Sequence, residues 1–221
     1  MTLKHLVRRC GRVMPALLAL ALGACSALLP KPGAPTSFYS LDASAPASAA
    51  VAAAAAVAPA ASAPTLVVGA THAAAGFDTR RIVYLRRAQQ AEHFAQSEWV
   101  DTPARMLAPL LVAALERQAA FAAVVGSPGP ALGDLRLDTT LVRLQHDFTS
   151  TPSRVRLTLR ATLIEVATRR VIAVREFDAS EPSASEDAYG GVAAAHRVVQ
   201  RQLQALAQFC ADAARGWRAQ P

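Results

Sequence analysis

The apolar positions follow two rhythms, one of period two and one of three to four, separated by stretches with neither. From Ser153 to Thr168, Val155, Leu157, Leu159, Ala161 and Leu163 alternate with Arg154, Arg156, Thr158, Arg160 and Thr162. That alternation predicts a strand with one face buried and the other in water. From Asp134 to Phe148, Leu135, Leu137, Thr139 and Leu141 share one face, and the apolar phase then slips to Val142, Leu144 and Phe148. A slip of one residue predicts a β-bulge near 141–142. Shorter strands are expected at Thr65 to Gly69, Arg81 to Leu85, Glu92 to Ala95, Phe121 to Val125 and Val171 to Phe177, with a hairpin around Arg87 to Gln90. Arg169-Arg170 reads as a charged turn into the last of these.

The longer period appears twice. Asp101-Thr102-Pro103 opens a helix, with a capping residue ahead of a proline whose missing N–H costs nothing in the first turn. Leu107, Leu110, Leu111, Ala114 and Leu115 make its apolar stripe, and it should end near Ala119. A second helix is expected from about Glu186 to Trp217, on the stripe Val192, Ala195, Val199, Leu203, Leu206, Phe209, Ala213 and Trp217. The fold class expected is α+β, an antiparallel sheet with two main helices packed on one face.

Neither rhythm governs the first 64 residues. Lys4, Arg8, Arg9 and Arg12 form a basic start with no acid before Asp42, and Val13 to Leu22 is an apolar run broken only by Pro15. These are the n-region and h-region of a secretory signal, too short to span a bilayer. The run ends in Leu22-Gly23-Ala24-Cys25, which resembles the bacterial lipobox at all four positions. Cleavage between Ala24 and Cys25 would leave Cys25 carrying a thioether-linked diacylglycerol and an acyl chain, with no other cofactor expected. In Gram-negative lipoproteins a residue other than aspartate after the cysteine, here Ser26, implies release to the periplasmic face of the outer membrane. The chain is therefore divided into a signal peptide (1–24), a tether (25–35), a strand (36–41), an Ala/Pro-rich linker (42–64) and a domain (65–218). The linker's core, 43–63, carries no charge and no aromatic ring, so it cannot bury enough area to order itself.

Composition and charge change meaning under that division. The chain of 221 residues is 52% hydrophobic, but 51 of those residues are alanine, which bury little area each. The formal charge is +7, and removing residues 1–24 takes four bases and no acid, leaving +3. Basicity thus gives no reason to expect nucleic acid as a partner. Collagen, a disulfide scaffold and a polytopic membrane protein are excluded by composition. Once Cys10 is cleaved off and Cys25 acylated, Cys210 is the remaining thiol, read as a small buried hydrophobe on a helix face.

Enzymatic chemistry finds no footing. His72, His93, His146 and His196 are scattered, with no i,i+4 pair or Cys/His cluster for a metal. There is no Gly-x-Ser-x-Gly elbow, Walker loop or Rossmann fingerprint. No catalytic residue and no metal site is expected, and the chain is read as not an enzyme. Contact with a partner or with lipid headgroups is assigned instead to Arg154, Arg156 and Arg160, on one face of one strand, and to Trp99. Glu176 and Asp178 on the next strand are the competing claim on those arginines, leaving a solvated, charge-balanced face. A core lid is the competing role for Trp99.

With these pieces in order, the chain resembles the ABC-type transport auxiliary lipoproteins, including those of paraquat-inducible loci. The lipobox at Cys25, Phe38-Tyr39-Ser40-Leu41, Arg81-Ile82-Val83-Tyr84, Phe94 with Trp99, Pro103 to Leu107 and Phe121-Ala122-Ala123-Val124 carry the resemblance. The resemblance implies a lipid-anchored, non-enzymatic auxiliary component working with an inner-membrane ABC transporter and a mammalian-cell-entry (MCE) domain protein. Such systems move phospholipid or other hydrophobic cargo between membranes, and the resemblance is compatible with a homo-oligomeric ring. Two other functions stay open from the residues alone: an assembly lipoprotein of an outer-membrane machine of the lipopolysaccharide-insertion type, and a lipid-binding carrier. The 43–63 insert departs from the family pattern and leaves open whether Phe38 to Leu41 joins the same sheet.

Overall fold

The computed structural model describes residues 35–42, 63–129 and 132–217; Ala24, Cys25, the signal peptide and the linker's interior lie outside the described residues. Among the described residues nine strands and two helices follow in the order β1 (Ser37–Tyr39), β2 (Thr65–Val68), β3 (His72–Ala73), β4 (Arg81–Arg87), β5 (Gln90–Trp99), α1 (Pro103–Glu116), β6 (Ala123–Gly126), β7 (Leu135–Asp147), β8 (Arg154–Glu165), β9 (Val171–Pro182) and α2 (Ala188–Gly216).

The sheet is organised on β7. Along one edge β7 pairs antiparallel with β8 over its whole length, and β8 pairs antiparallel with β9. The register of β7 on β8 shifts between Leu141 and Arg143, the bulge that the apolar slip calls for. Along the other edge a single stretch of chain runs parallel to β7. It touches β7 first as β2 (Leu66 opposite Leu135), then as β3 (His72 opposite Thr140), then as β4 (Tyr84 opposite His146). Outside that stretch lie β6, parallel to β2, and β5, antiparallel to β4. The α+β class holds, but the sheet is mixed: the pairings of β2, β3 and β4 with β7 are parallel. Alternation shows which face a residue occupies and is silent on which neighbour it pairs with.

The strand at 36–41 joins this sheet. β1 lies parallel to β5, with Ser37 opposite Ser97 and Tyr39 opposite Trp99, and Leu41 is buried in the common core.

Both helices cover one face. α1 begins one residue after Thr102, whose N–H is accepted by Asp101 Oδ1 at 2.7 Å, and ends at Glu116 rather than near Ala119. Its buried side includes Met106, Leu107, Leu111, Ala114 and Leu115. α2 starts at Ala188, capped by Asp187, whose carboxylate accepts the Gly190 N–H at 2.7 Å. Its buried face is wider than the stripe in the sequence and adds Ala194, Val198, Gln202, Ala207, Cys210, Ala211 and Ala214. Small side chains let the helix lie close on Leu157, Leu159, Ala161 and Leu163, all fully buried. Cys210 is among them, and burial pushes its thiol up to about 12, which leaves it inert as a nucleophile.

Candidate functional site

Among the described residues no group of three or more His, Cys, Asp or Glu is placed to hold a metal ion. Among the described residues the buried imidazole and the buried carboxylate, His146 and Glu165, lie at the two ends of the sheet, where α2 begins and where it ends.

The first end is built by the β4–β5 turn, the β7–β8 loop and the start of α2. His146 is buried on β7, with Nε2 2.8 Å from Ser153 Oγ. Ser153 donates its N–H to Glu186 Oε1 at 2.9 Å, and Asp187 also accepts from Ser185 Oγ at 2.8 Å. The Glu186 carboxyl is held below its ordinary value first by the Ser153 N–H and then by its hydroxyl. That of Asp187 is lowered first by the Gly190 N–H. Burial lowers the His146 pKa, against an upward pull from Glu186, Asp187 and Asp147. His, Ser and Glu in line suggest a nucleophilic triad, but the order is wrong. A triad needs the imidazole between hydroxyl and carboxylate. Here Ser153 stands in the middle and is 0% exposed, and His146 Nδ1 has no hydrogen-bond partner. Gly191 packs on that side of the ring so closely that an added Cβ would lie 2.9 Å from His146 Cε1. The trio fastens the start of α2 to β7 and β8.

Around it lies an aromatic cluster. Tyr84 and Phe94 ring centroids are 4.6 Å apart, and His146 and Phe148 4.1 Å apart. Tyr84 donates to Glu92 Oε2 at 2.8 Å, a bond that raises the phenol's pKa. An open groove of about 450 Å³ here is lined by Tyr39, Phe94, Ser97, Glu186, Asp187 and Tyr189. Tyr189 is 69% exposed.

The second end is built by the β8–β9 turn and the end of α2. Glu165 is buried and accepts from Trp217 Nε1 at 2.8 Å, from Arg170 Nε at 3.4 Å and from the Thr168 hydroxyl. The Thr168 bond comes first in holding its carboxyl below the ordinary value, then Trp217. An open groove of about 550 Å³ runs beside it, lined by Arg170, Ile172, Asp212, Ala213, Gly216 and Trp217. This end also exposes apolar side chains: Val166, Val171 (53%), Val174 (56%) and, in the loop before β7, Leu132 (93%). Leu132 lies two residues before Asp134, whose carbonyl accepts the Val166 N–H at 2.9 Å.

The residues singled out in the sequence lie elsewhere. Arg154, Arg156 and Arg160 do share the helix-free face of β8, each with a partner on β9. Arg154 donates to Ser180 Oγ at 3.0 Å, Arg156 lies 3.4 Å from Asp178 and Arg160 lies 2.8 Å from Glu176. Trp99 is 3% exposed and belongs to the core cluster, so its ring is no surface anchor. Ala24 and Cys25 lie outside the described residues. The sequence reading passed over Leu132 and the outward valines of β9. A large apolar residue inside a Gly/Pro turn, and Val174 out of phase with Phe177, are the available signals.

Residues 39–207 match the model of a family described as ABC-type transport auxiliary lipoprotein component. No curated protein matches the chain. Among solved structures, a Xanthomonas campestris protein of family DUF330 is 21% identical, covering 82% of this chain and 98% of its own, with a TM-score of 0.68. An uncharacterized protein is 15% identical, with 80% and 99% coverage and a TM-score of 0.61. A hypothetical protein from Chlamydia trachomatis is 7% identical, with 69% and 98% coverage and a TM-score of 0.50. At these identities the likeness is one of fold.

Proposed function

The chain belongs to the family of ABC-type transport auxiliary lipoprotein components, and from that premise we propose that it is a non-enzymatic adaptor in intermembrane lipid transport. In this reading Cys25 is acylated and anchors the domain to the periplasmic face of the outer membrane. The domain docks an MCE-domain protein of an ABC transporter that moves phospholipid. The family match over 39–207 carries the reading, and the lipobox at Cys25 supports it. The geometry supports an adaptor over a carrier. A carrier needs an enclosed apolar cavity for acyl chains. Among the described residues, the space in the core bounded by Trp99, Leu144, His146, Val155 and Gly191 amounts to about 10 Å³, at most the room of one water.

Arg156 and Arg160 on β8 have their charges answered by Asp178 and Glu176, so the partner contact is better placed at the end carrying Val166, Val171, Val174 and Leu132. Apolar side chains exposed together are what a protein interface covers. Co-purification from crosslinked envelopes tests the reading. ABC and MCE components should be recovered with this lipoprotein. Recovery of an outer-membrane β-barrel assembly protein in their place would overturn it.

A further inference from the structure

Among the described residues the sheet has three outer strands. β1 and β6 are short, with 3 and 4 residues, and a short edge offers little for another chain to pair with. β9 runs for 12 residues and pairs with β8 alone. The ladder fixes which backbone groups its open side presents. The Ser183 N–H donates to the Ser153 carbonyl at 2.8 Å, continuing the β8–β9 register. Hydrogen-bonded pairs alternate along an antiparallel ladder, so Arg175 and Phe177 turn their N–H and C=O toward β8. Val174, Glu176, Asp178 and Ser180 turn theirs outward. The carbonyls of Ser180 and Pro182 accept from Arg201 and Arg197 of α2, at 3.1 and 2.8 Å, as that alternation requires.

The guanidinium groups of α2 thus cover the half of the edge that ends in Pro182. The other half opens with Val171-Ile172-Ala173-Val174, uncharged and rich in β-branched residues, and Val171 and Val174 are more than half exposed. Beside it lies the groove of about 550 Å³, lined by Ile172 and Ala173 on β9 and by Ala213 and Trp217 on α2. Apolar edges of this kind accept a further strand unless charge or cover prevents it. We infer that residues 171–178 are the docking edge for an extended segment of the partner protein, added as a strand beside β9. The inference rests on the adaptor reading above and names how the partner binds at that end. The segment pairs with the outward N–H and C=O groups of Val174 and Glu176, and sets alternate side chains over Ala213 and Trp217. Its charge follows from the edge. Arg169 and Arg175 are exposed and make no ion pair with a described carboxylate, and Arg175 lies over the Phe209 ring, 4.6 Å from its centroid. An apolar segment carrying an acidic residue answers them. A second copy of β9 does not. It brings the same two arginines, while its Glu176, Asp178 and Glu181 already face Arg160, Arg156 and Arg201 of their own domain.

The test separates backbone from side chain at one position. Val174→Pro removes an outward N–H and leaves the bonds to β8 in place, a position where an edge strand tolerates proline. Val174→Ala removes the side chain and keeps the N–H. In crosslinked envelopes carrying the mature acylated chain, Val174→Pro should lower recovery of the ABC or MCE component about tenfold. Val174→Ala should lower it by about threefold or less. Equal losses in the two variants overturn strand addition. Hydrogen exchange on the unsubstituted chain decides the matter if the proline variant does not fold. The amides of Val174 and Glu176 should exchange fast in the free chain and about tenfold slower in the co-purified complex. Unchanged exchange overturns the inference and leaves the adaptor reading standing. Protection already present in the free chain means that another of its own segments or a second copy covers the edge, and overturns the assignment to a partner. If the unsubstituted chain recovers no ABC or MCE component, the adaptor reading falls and the inference with it.

Discussion

The two ends of α2 solve the same problem in opposite ways. At its start, the helix is pinned by backbone-scale contacts: Gly191 flat against the His146 ring, Asp187 on the Gly190 N–H, and Glu186 reaching across to Ser153. At its end one large side chain does the fastening, Trp217 donating to buried Glu165. Close packing with fixed donors leaves no room for adjustment, whereas a tryptophan at a helix terminus can shift with the last turn. The first end should therefore be rigid and intolerant, and the second adaptable. An adaptable end with exposed valines suits a partner.

The largest expected effect breaks the comparison with one methyl group. Gly191→Ala forces the His146 ring or the helix to move and should cost about 2–3 kcal/mol of stability. Gly216→Ala adds the same methyl at the other end of the same helix, where no described atom beyond its chain neighbours and its own helix backbone lies within 4 Å. It should change stability by less than about 0.5 kcal/mol. Urea unfolding of the mature chain carrying Cys25→Ser reads both. Similar losses in the two variants would show the ends to be alike.

Trp217→Ala comes next. It removes a half-buried ring and one donor to Glu165, and should cost about 1–2 kcal/mol. Trp217→Phe restores most of the apolar area but not the N–H, and should recover more than half of that loss. If phenylalanine restores nothing, the indole hydrogen bond holds this end, and the second end is as exacting as the first.

What the sequence made legible follows the same division. The bulge at 141–142, the buried side of β8 and the α1 stripe were readable because each is a local period imposed by one large apolar face. The pinned start of α2 was not, since it depends on His146, Ser153, Glu186 and Gly191, separated by up to 45 positions. Nothing in a glycine pair marks one glycine as the floor beneath a histidine ring. The parallel run of β2, β3 and β4 along β7 was hidden for a related reason: neighbour choice leaves no periodic trace. The alanines misled most, since those of α2 are the residues that bring the helix onto the sheet, while their abundance in 43–63 reads as linker.

Acid should loosen the two ends in sequence. Burial depresses the His146 pKa in the folded state, while the unfolded chain takes up that proton near pH 6.5. Below about pH 6.5 the unfolded state therefore binds more protons, and stability falls as pH falls until the folded value is passed. Glu165, depressed first by Thr168 and then by Trp217, adds stability above the ordinary carboxylate range. That contribution is lost only as pH falls through its folded value, in a lower window. His146→Gln should flatten the stability profile between roughly pH 7 and pH 5 while leaving the lower window in place. An unchanged slope in that variant would mean that another group titrates at the first end.

The smallest change in stability should carry the most functional information. Val171, Val174 and Leu132 stand exposed at the second end, so replacing them removes little burial from the folded chain. Val171→Thr and Val174→Thr keep the β-branched shape that an edge strand favours, and Leu132→Ser alters a residue already in water. Together the three should shift stability by less than about 1.5 kcal/mol, since exposed substitutions each stay within about 0.5 kcal/mol. If this end docks a protein, the same triple variant should lose most of the crosslinked ABC or MCE component, because the apolar centre of an interface tolerates hydroxyl groups poorly. Arg160→Gln serves as the control: its pair with Glu176 lies in water, is worth about 0–1 kcal/mol, and should leave recovery unchanged. Undiminished recovery with the triple variant, or a loss confined to Arg160→Gln, would move the docking surface to the charged face of β8 and reverse the assignment of the adaptable end.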